Sequence, residues 1–428
     1  MAHDGAAASI RPILSPPPSA PTAATDAGHS KPETDTHNHR ILLPPARSME
    51  LDALRFLAIA LVLVRHLPPM PETLPGIVRV PLHFLYEGGW TGVDLFFVLS
   101  GFLISGLLFR EHQRYRTIRF RQFFIRRGFK IYPPFYLLIV STGGIAIVNH
   151  WNRPWKRIVA EGVFIQNYFP GLWGQTWSLG IEEHFYIVLP LLLIGLTHFS
   201  RNRADPFGAL PRIYLLLVIT TLALRVSAAA RFSFEFMDAN TFVYTMLYPT
   251  HLRIDSLFLG VLAGYVYHYH PDDLRKWIGP RSGWLLALSM LLLLPNFLWP
   301  LLNTPYHYTF GFTLTAGAYA IIVLLSVVHG FRLGPIGNRL VGAFAYVGAR
   351  SYSIYLWHLA VLMALQTVLS RWGTPSWWLT ALSYIVGSLL VGLTMASLIE
   401  TPMLRVRDRL FPSRSRALTL QPSGSAAA

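Results

Sequence analysis

The stretch Leu51-Asp-Ala-Leu-Arg-Phe-Leu-Ala-Ile-Ala-Leu-Val-Leu-Val-Arg-His66-Leu67 decides the fold. It is nearly continuous apolar sequence, which reads as a membrane helix, yet it carries Asp52, Arg55, Arg65 and His66. A charge inside such a helix is costly, so it faces a polar interior, pairs with another group or snorkels from the helix end. Arg55 and His66 stand eleven positions apart. At 100° per residue that is about 1100°, three turns plus roughly 20°, so both side chains leave one face, with Cα atoms about 16 Å apart along the axis. That face holds a fixed cation near one end and a titratable imidazole near the other. Snorkelling ends would give the same pattern, so this stretch fixes a membrane helix but leaves the purpose of its charges open.

Composition widens the reading to the whole chain. Of 428 residues 53% are hydrophobic and 13% charged, against about 25% charged in an ordinary soluble domain. This is a polytopic membrane protein, an all-α bundle with little mass outside the bilayer. The chain has no cysteine, which excludes disulfides, thiolate catalysis and Cys-ligated metals. Residues 1–47 hold Pro16-Pro17-Pro18 among alanine, threonine and serine with no apolar core segment, as in a disordered cytoplasmic tail and not a signal peptide. His37-Asn-His39 falls within it and reads as solvated tail.

Prolines 68, 69, 71 and 75 end the first span. Further apolar runs lie near 91–109, 131–149, 178–198, 212–230, 251–269, 283–302, 309–329, 351–370 and 377–399, making about ten spans in all. Between the second and third is a basic segment, 110–130, read as an inner loop. With the N-terminus inside, inner segments carry 24 Lys and Arg, and outer loops carry 6. This positive-inside asymmetry puts both termini in the cytoplasm. The net charge of +15 therefore reflects topology and attraction to anionic membrane lipids, and nucleic acid is not expected as a partner. The spans run from 48 to 405, and 406–428 reads as a basic, then disordered, cytoplasmic tail.

Several acids sit where lipid-facing sequence should be apolar: Asp52, Asp94, Glu182, Glu183, Asp255 and Glu400. Arg55, Arg225 and Arg253 are available cations, and His66, His184, His251 and His358 available imidazoles. Each acid alone fits a structural ion pair; together they imply a polar cavity inside the bundle, suited to a transport path or an active site. The span histidines show no close ligand spacing, so no metal is expected. Ser178 lacks the Gly-x-Ser-x-Gly surroundings of a hydrolase nucleophile.

Seven motifs follow in order: Leu51-Asp-Ala-Leu-Arg55 with ten residues before His66; Gly89-Trp-Thr-Gly-Val-Asp94-Leu-Phe-Phe-Val-Leu-Ser-Gly-Phe102; Arg126-Arg127-Gly-Phe-Lys130-Ile-Tyr-Pro-Pro134; Thr176-Trp177-Ser178-Leu-Gly-Ile-Glu182-Glu183-His-Phe-Tyr186; Arg253-Ile-Asp255; Ser351-Tyr-Ser-Ile-Tyr-Leu-Trp-His358; and Glu400-Thr-Pro402. In this order and spacing the chain resembles the acyltransferase-3 family of integral membrane O-acyltransferases over about residues 48–405. The resemblance implies transfer of an acyl group, usually acetyl from cytoplasmic acetyl-CoA, to a hydroxyl of a cell-surface polysaccharide, lipid-linked glycan or similar acceptor. It also implies a multi-pass protein of a bacterial inner (plasma) membrane, with acyl-CoA as a donor substrate and no bound cofactor.

By position, Arg55 and His66 match the family's Arg–His pair, Arg127 and Lys130 its donor-engaging basic pair, and Glu182 and Glu183 its paired carboxylates. Lys130 stands where Arg is usual, and His184 where Gln is common. Some relatives append a soluble esterase-like domain, which the short stretch after 405 does not resemble. The chemistry agrees. A sugar hydroxyl must lose a proton to attack a thioester, and histidine suits that task near neutral pH. His66 is the expected base, with Asp94, Glu182 or Glu183 as candidates to orient it. Arg55 is expected to stabilise the thioester oxygen or hold donor phosphate, and Arg126, Arg127 and Lys130 to bind the CoA nucleotide. Asp52, Trp177, Ser178, Arg253, Asp255 and His358 form the expected supporting polar network. A transporter or flippase using the same cavity is the alternative, and the basic residues would then be topological anchors alone.

Overall fold

The computed structural model describes residues 48–231, 238–302, 304–331, 334–373 and 375–413. The expected N-terminal tail, its His37-Asn-His39, and Arg40, Arg47, Arg332, Arg414 and Arg416 lie outside the described residues. Among those described, the secondary structure is helical throughout: α1 (Met49–Arg65), α2 (Gly76–Gly88), α3 (Thr91–Tyr115), α4 (Phe120–Val148), α5 (Pro154–Gly162), α6 (Trp177–Phe199), α7 (Leu210–Arg231), α8 (Ala239–Phe242), α9 (Ile254–Tyr269), α10 (Pro271–Ile278), α11 (Ser282–Leu298), α12 (Phe312–His329), α13 (Gly334–Gly348), α14 (Ser351–Leu369), α15 (Trp377–Met395) and α16 (Thr401–Leu410). Eight of these helical stretches are long and apolar enough to cross a membrane. They carry large apolar side chains outward, such as Leu216, Leu291, Leu382 and Leu390, each more than 60% exposed. That inside-out pattern suits lipid, and the protein is an integral membrane protein. The other two expected spans fall in α1 and α9, helices of 17 and 16 residues.

Local sequence sets the limits of α1. The Ser48 hydroxyl accepts from the Leu51 N–H and caps the start, and Glu50 and Asp52 complement the positive end of the helix dipole. The helix ends at Arg65, just before Pro68-Pro69, leaving His66 as its cap residue with non-helical backbone. The 110–130 segment is not the loop expected. α3 runs on to Tyr115 and α4 begins at Phe120, because Arg, Lys and Gln are good helix formers whose charged ends reach water from a helix as well as from a loop. Similarly, α16 crosses the expected boundary at 405 and packs against α4, with the Arg126 guanidinium 3.0 Å from Asp408.

Small residues bring the central helices together. Gly101 of α3 and Gly260 of α9 meet backbone to backbone; a Cβ on Gly101 would lie 1.9 Å from the Leu257 carbonyl oxygen. Without a hydrophobic drive between helices in lipid, such close approach is how membrane helices gain packing energy. α13 lies against the first half of α1 in the same way, with Gly348 on the Asp52 carbonyl and Phe344 stacked 4.5 Å from Phe56. The result sets α1, α3, α6, α9 and α14 around the polar interior.

Candidate active site

Three cavities follow one another along α3 and α1. A basic mouth of about 590 Å³ is lined by Leu108, Glu111, Gln122, Arg126, Arg127, Lys130 and Arg407. Arg127 and Lys130 also line a middle chamber of about 640 Å³, with Arg55, Phe96, Ser100, Ser178, Glu182 and Tyr355. A far chamber of about 1020 Å³ holds Arg65, His66, Trp90, Gln175, Trp177, Tyr248 and Arg253. Val93 and Tyr355 line both the middle and far chambers. From Glu111 at the mouth to Val93 at the second junction, α3 climbs 18 residues, about 27 Å, most of a hydrocarbon core.

At the mouth the basic residues have different surroundings. Arg127 lies over the Tyr186 ring, 4.3 Å from its centre, and donates to the Tyr186 hydroxyl. That hydroxyl donates in turn to Glu182 at 2.5 Å, and Ser100 donates to the other Glu182 oxygen at 3.0 Å. Arg126 bonds Asp408 and the Phe411 carbonyl, so it ties α16 to α4 as well as lining the mouth. Lys130 stands at the junction of mouth and middle chamber. Arg55 donates to Asp52 at 2.7 Å, one helical turn earlier, which holds its guanidinium at the chamber wall.

His66 is oriented from its own helix. Its Nδ1 sits 2.9 Å from the Val62 carbonyl oxygen, a group that can only accept, so Nδ1 carries the proton. The Nε2 lone pair is thereby left available as an acceptor. The expectation that Asp94, Glu182 or Glu183 orients this ring is corrected. Asp94 accepts from Arg253 at 2.8 Å, fully buried with it. Glu182 belongs to the middle chamber, and Glu183 accepts from Tyr132 at 3.1 Å. The hydrogen bonds these carboxylates accept all come from groups other than His66. The near neighbour is instead His358, whose ring centre lies 5.0 Å away, edge to face. His358 donates from Nδ1 to the Tyr355 carbonyl, and its buried Nε2 has no hydrogen-bond partner among the described residues.

The remaining expected network divides in two. Asp255 pairs with Arg225 and accepts from Thr313 at 2.7 Å, between α7, α9 and α12. Arg253 lies over the Phe312 ring at 3.7 Å, and its Nε and Nη1 have no partner among the described residues. Trp177 stacks on Tyr248 with ring centres 4.8 Å apart. Ser178 has the Tyr355 hydroxyl at 2.8 Å and is not beside an imidazole base. His184 bonds Thr250 at 2.7 Å. Glu400, in a π-helical turn between α15 and α16, accepts from Ser353 at 2.7 Å.

Sequence reasoning did not single out Tyr186, Val93, Tyr355 or Arg407 as site residues. Tyr355 was legible in principle, since it lies one turn before His358 on the same helix face. Arg407 was not, because only the packing of α16 brings it to the mouth.

The family model described as an acyltransferase domain matches residues 49–397. Among curated proteins, "Putative O-acetyltransferase SACOL0978" of Staphylococcus aureus is 28% identical over 73% of this chain and 50% of its own length. "Putative peptidoglycan O-acetyltransferase YrhL" of Bacillus subtilis is 28% identical over 86% of this chain and 56% of its own. "Peptidoglycan O-acetyltransferase OatA" of Listeria monocytogenes is 24% identical over 82% of this chain and 55% of its own. The chain thus spans about half the length of the curated relatives it matches. No solved structure matches it. Since the family model takes in every helix from α1 to α15, the chain belongs to the acyltransferase-3 family of integral membrane acyltransferases.

Proposed function

We propose that the protein is an O-acetyltransferase of a bacterial inner membrane, moving an acetyl group from cytoplasmic acetyl-CoA to a hydroxyl of a glycan at the opposite face. One observation carries the reading. Cavities that share walls run from a cluster of guanidinium and ammonium groups to an imidazole with a free lone pair. The two ends match the two substrates. CoA is anionic, with phosphates suited to Arg126, Arg127, Lys130 and Arg407 at the mouth. A sugar presents hydroxyls and apolar ring faces, suited to His66, Gln175, Trp90, Trp177 and Tyr248 in the far chamber. The positive-inside distribution of Lys and Arg supports a cytoplasmic mouth and cytoplasmic termini. The names of the relatives point to peptidoglycan or a similar glycan as acceptor.

In this mechanism the acceptor hydroxyl attacks the thioester carbonyl carbon while its proton passes to His66 Nε2. Val62 holds the ring, and His358 packs against it. Negative charge grows on the thioester oxygen, and Arg253 supplies guanidinium N–H groups lining the same chamber. Collapse of the tetrahedral intermediate breaks the carbon–sulfur bond. The CoA thiolate takes up a proton, His66 returns to its neutral form, and the products are the O-acetyl ester and CoA. Arg55 lies on the donor side, in the chamber with Lys130 and Arg127, and serves the donor. The buried Asp94–Arg253 and Arg225–Asp255 pairs hold α3, α7 and α9 in register and keep Arg253 in place.

The test is purified protein with acetyl-CoA and soluble peptidoglycan fragments, read by free-thiol release and by mass spectrometry of the fragments. Thiol release that depends on the fragments, with an acetyl-sized mass gain, is expected. Solute movement across liposomes without thiol release would favour a transporter.

A further inference from the structure

We infer that Tyr355, together with Val93, sets the length of acyl group that the protein accepts. The inference rests on the donor and acceptor assignment above. Both residues line the middle chamber on one side and the far chamber on the other, so they form the constriction at which a thioester entering from the middle chamber comes within reach of the acceptor and His66. With the carbonyl at this constriction, the acyl tail packs against the two side chains, which form the wall it meets.

The wall is fixed at both edges. The Tyr355 hydroxyl donates to the Gln175 carbonyl oxygen at 2.6 Å. Its only proton is thus committed, and Ser178, at 2.8 Å, is the donor in the second bond. The ring is flanked by Phe96, with centres 6.1 Å apart, and by His358 at 5.6 Å. Gln175 is itself anchored by donating to the Leu356 carbonyl at 3.2 Å. Tyr355 and Val93 are both less than 10% exposed, so neither swings freely into open space. In a close-packed apolar wall each added methylene must displace atoms already in contact. A two-carbon group therefore fits against the wall, and three- and four-carbon groups meet progressively worse contact. At such a steric limit one methylene changes turnover by about tenfold or more.

The experiment measures CoA release from acetyl-, propionyl- and butyryl-CoA by the purified full chain, with soluble peptidoglycan fragments as the acceptor. Wild type should favour acetyl over butyryl by at least about tenfold. Tyr355→Ala and Val93→Ala should each raise the butyryl-to-acetyl ratio about tenfold. Val93→Phe should lower propionyl use more than acetyl use. Tyr355→Phe removes both hydroxyl bonds and opens no space, so its ratio should stay near wild type. Val93→Ala, on a different helix, keeps the test valid if Tyr355→Ala aggregates. A wild type that uses butyryl-CoA as well as acetyl-CoA overturns the inference whatever the variants do. So does an unchanged ratio in folded alanine variants. Wild type that releases no CoA from any of the three donors removes the donor assignment, and this inference with it.

Discussion

Replacing His66 is the sharpest test of how the far chamber works. Its ring is held through Nδ1 by the Val62 carbonyl at 2.9 Å, which leaves Nε2 free to accept a hydrogen bond, the position proposed above to take the hydroxyl proton. His66→Asn can reproduce the Nδ1 contact, since the amide nitrogen sits near that position and donates to Val62. It has no basic nitrogen. His66→Gln reaches toward the Nε2 position and keeps polarity there, again without basicity. Both variants should therefore retain fold and donor affinity while losing the proton acceptor. A positioned base contributes about 10²–10⁴ in rate, equivalent to about 2.7–5.4 kcal/mol of barrier at 1.36 kcal/mol per decade. The assay is the initial rate of CoA release from acetyl-CoA with peptidoglycan fragments. Detergent-melting temperature and acetyl-CoA affinity are measured alongside. Turnover should fall by 10²-fold or more in both variants, with melting and donor affinity near wild type. Either variant keeping more than about a tenth of wild-type turnover, far above that range, would refute the general-base role.

The basic mouth and α5 give two further predictions. Arg127→Ala and Lys130→Ala should raise the donor KM more than they lower kcat, and Lys130→Arg should be tolerated; unchanged KM for acetyl-CoA would mean these cations are only topological anchors. Glu161 of α5, read as lying outside the spans, accepts from the Trp173 N–H and the Thr176 hydroxyl through one oxygen. Its other oxygen has no partner among the described residues, and burial pushes its pKa from the usual 4.5 to about 7. A raised acid binds its proton more tightly when folded, so this contribution is fully present below pH 4.5 and lost as pH rises through 7. Glu161→Gln, which keeps an accepting oxygen, should flatten that decline, a difference of about 3 kcal/mol at most. Parallel melting curves of wild type and variant from pH 5 to 8 would contradict the assignment.

Several features were legible from the sequence alone because they depend on properties that act locally or add along the chain. Hydropathy gave the helical membrane fold, and spacing on α1 put Arg55 and His66 on one face at two heights. The ordered motifs gave the family. The prolines gave the end of α1 to within two residues. What orients His66 was not legible. Any of several buried acids could have faced it, and only the packed helices show that Asp94 is committed to Arg253 and Glu182 to Tyr186 and Ser100. Nor did the sequence reveal that Arg126 is shared with Asp408, 282 residues away, or that Tyr355 and Val93 stand between two chambers. A charge buried in low dielectric takes the partner that tertiary packing brings within reach, and a cavity wall is assembled from helices far apart in the chain. Composition and periodicity determine which residues are buried in the membrane; which buried groups meet is decided when the helices close on one another.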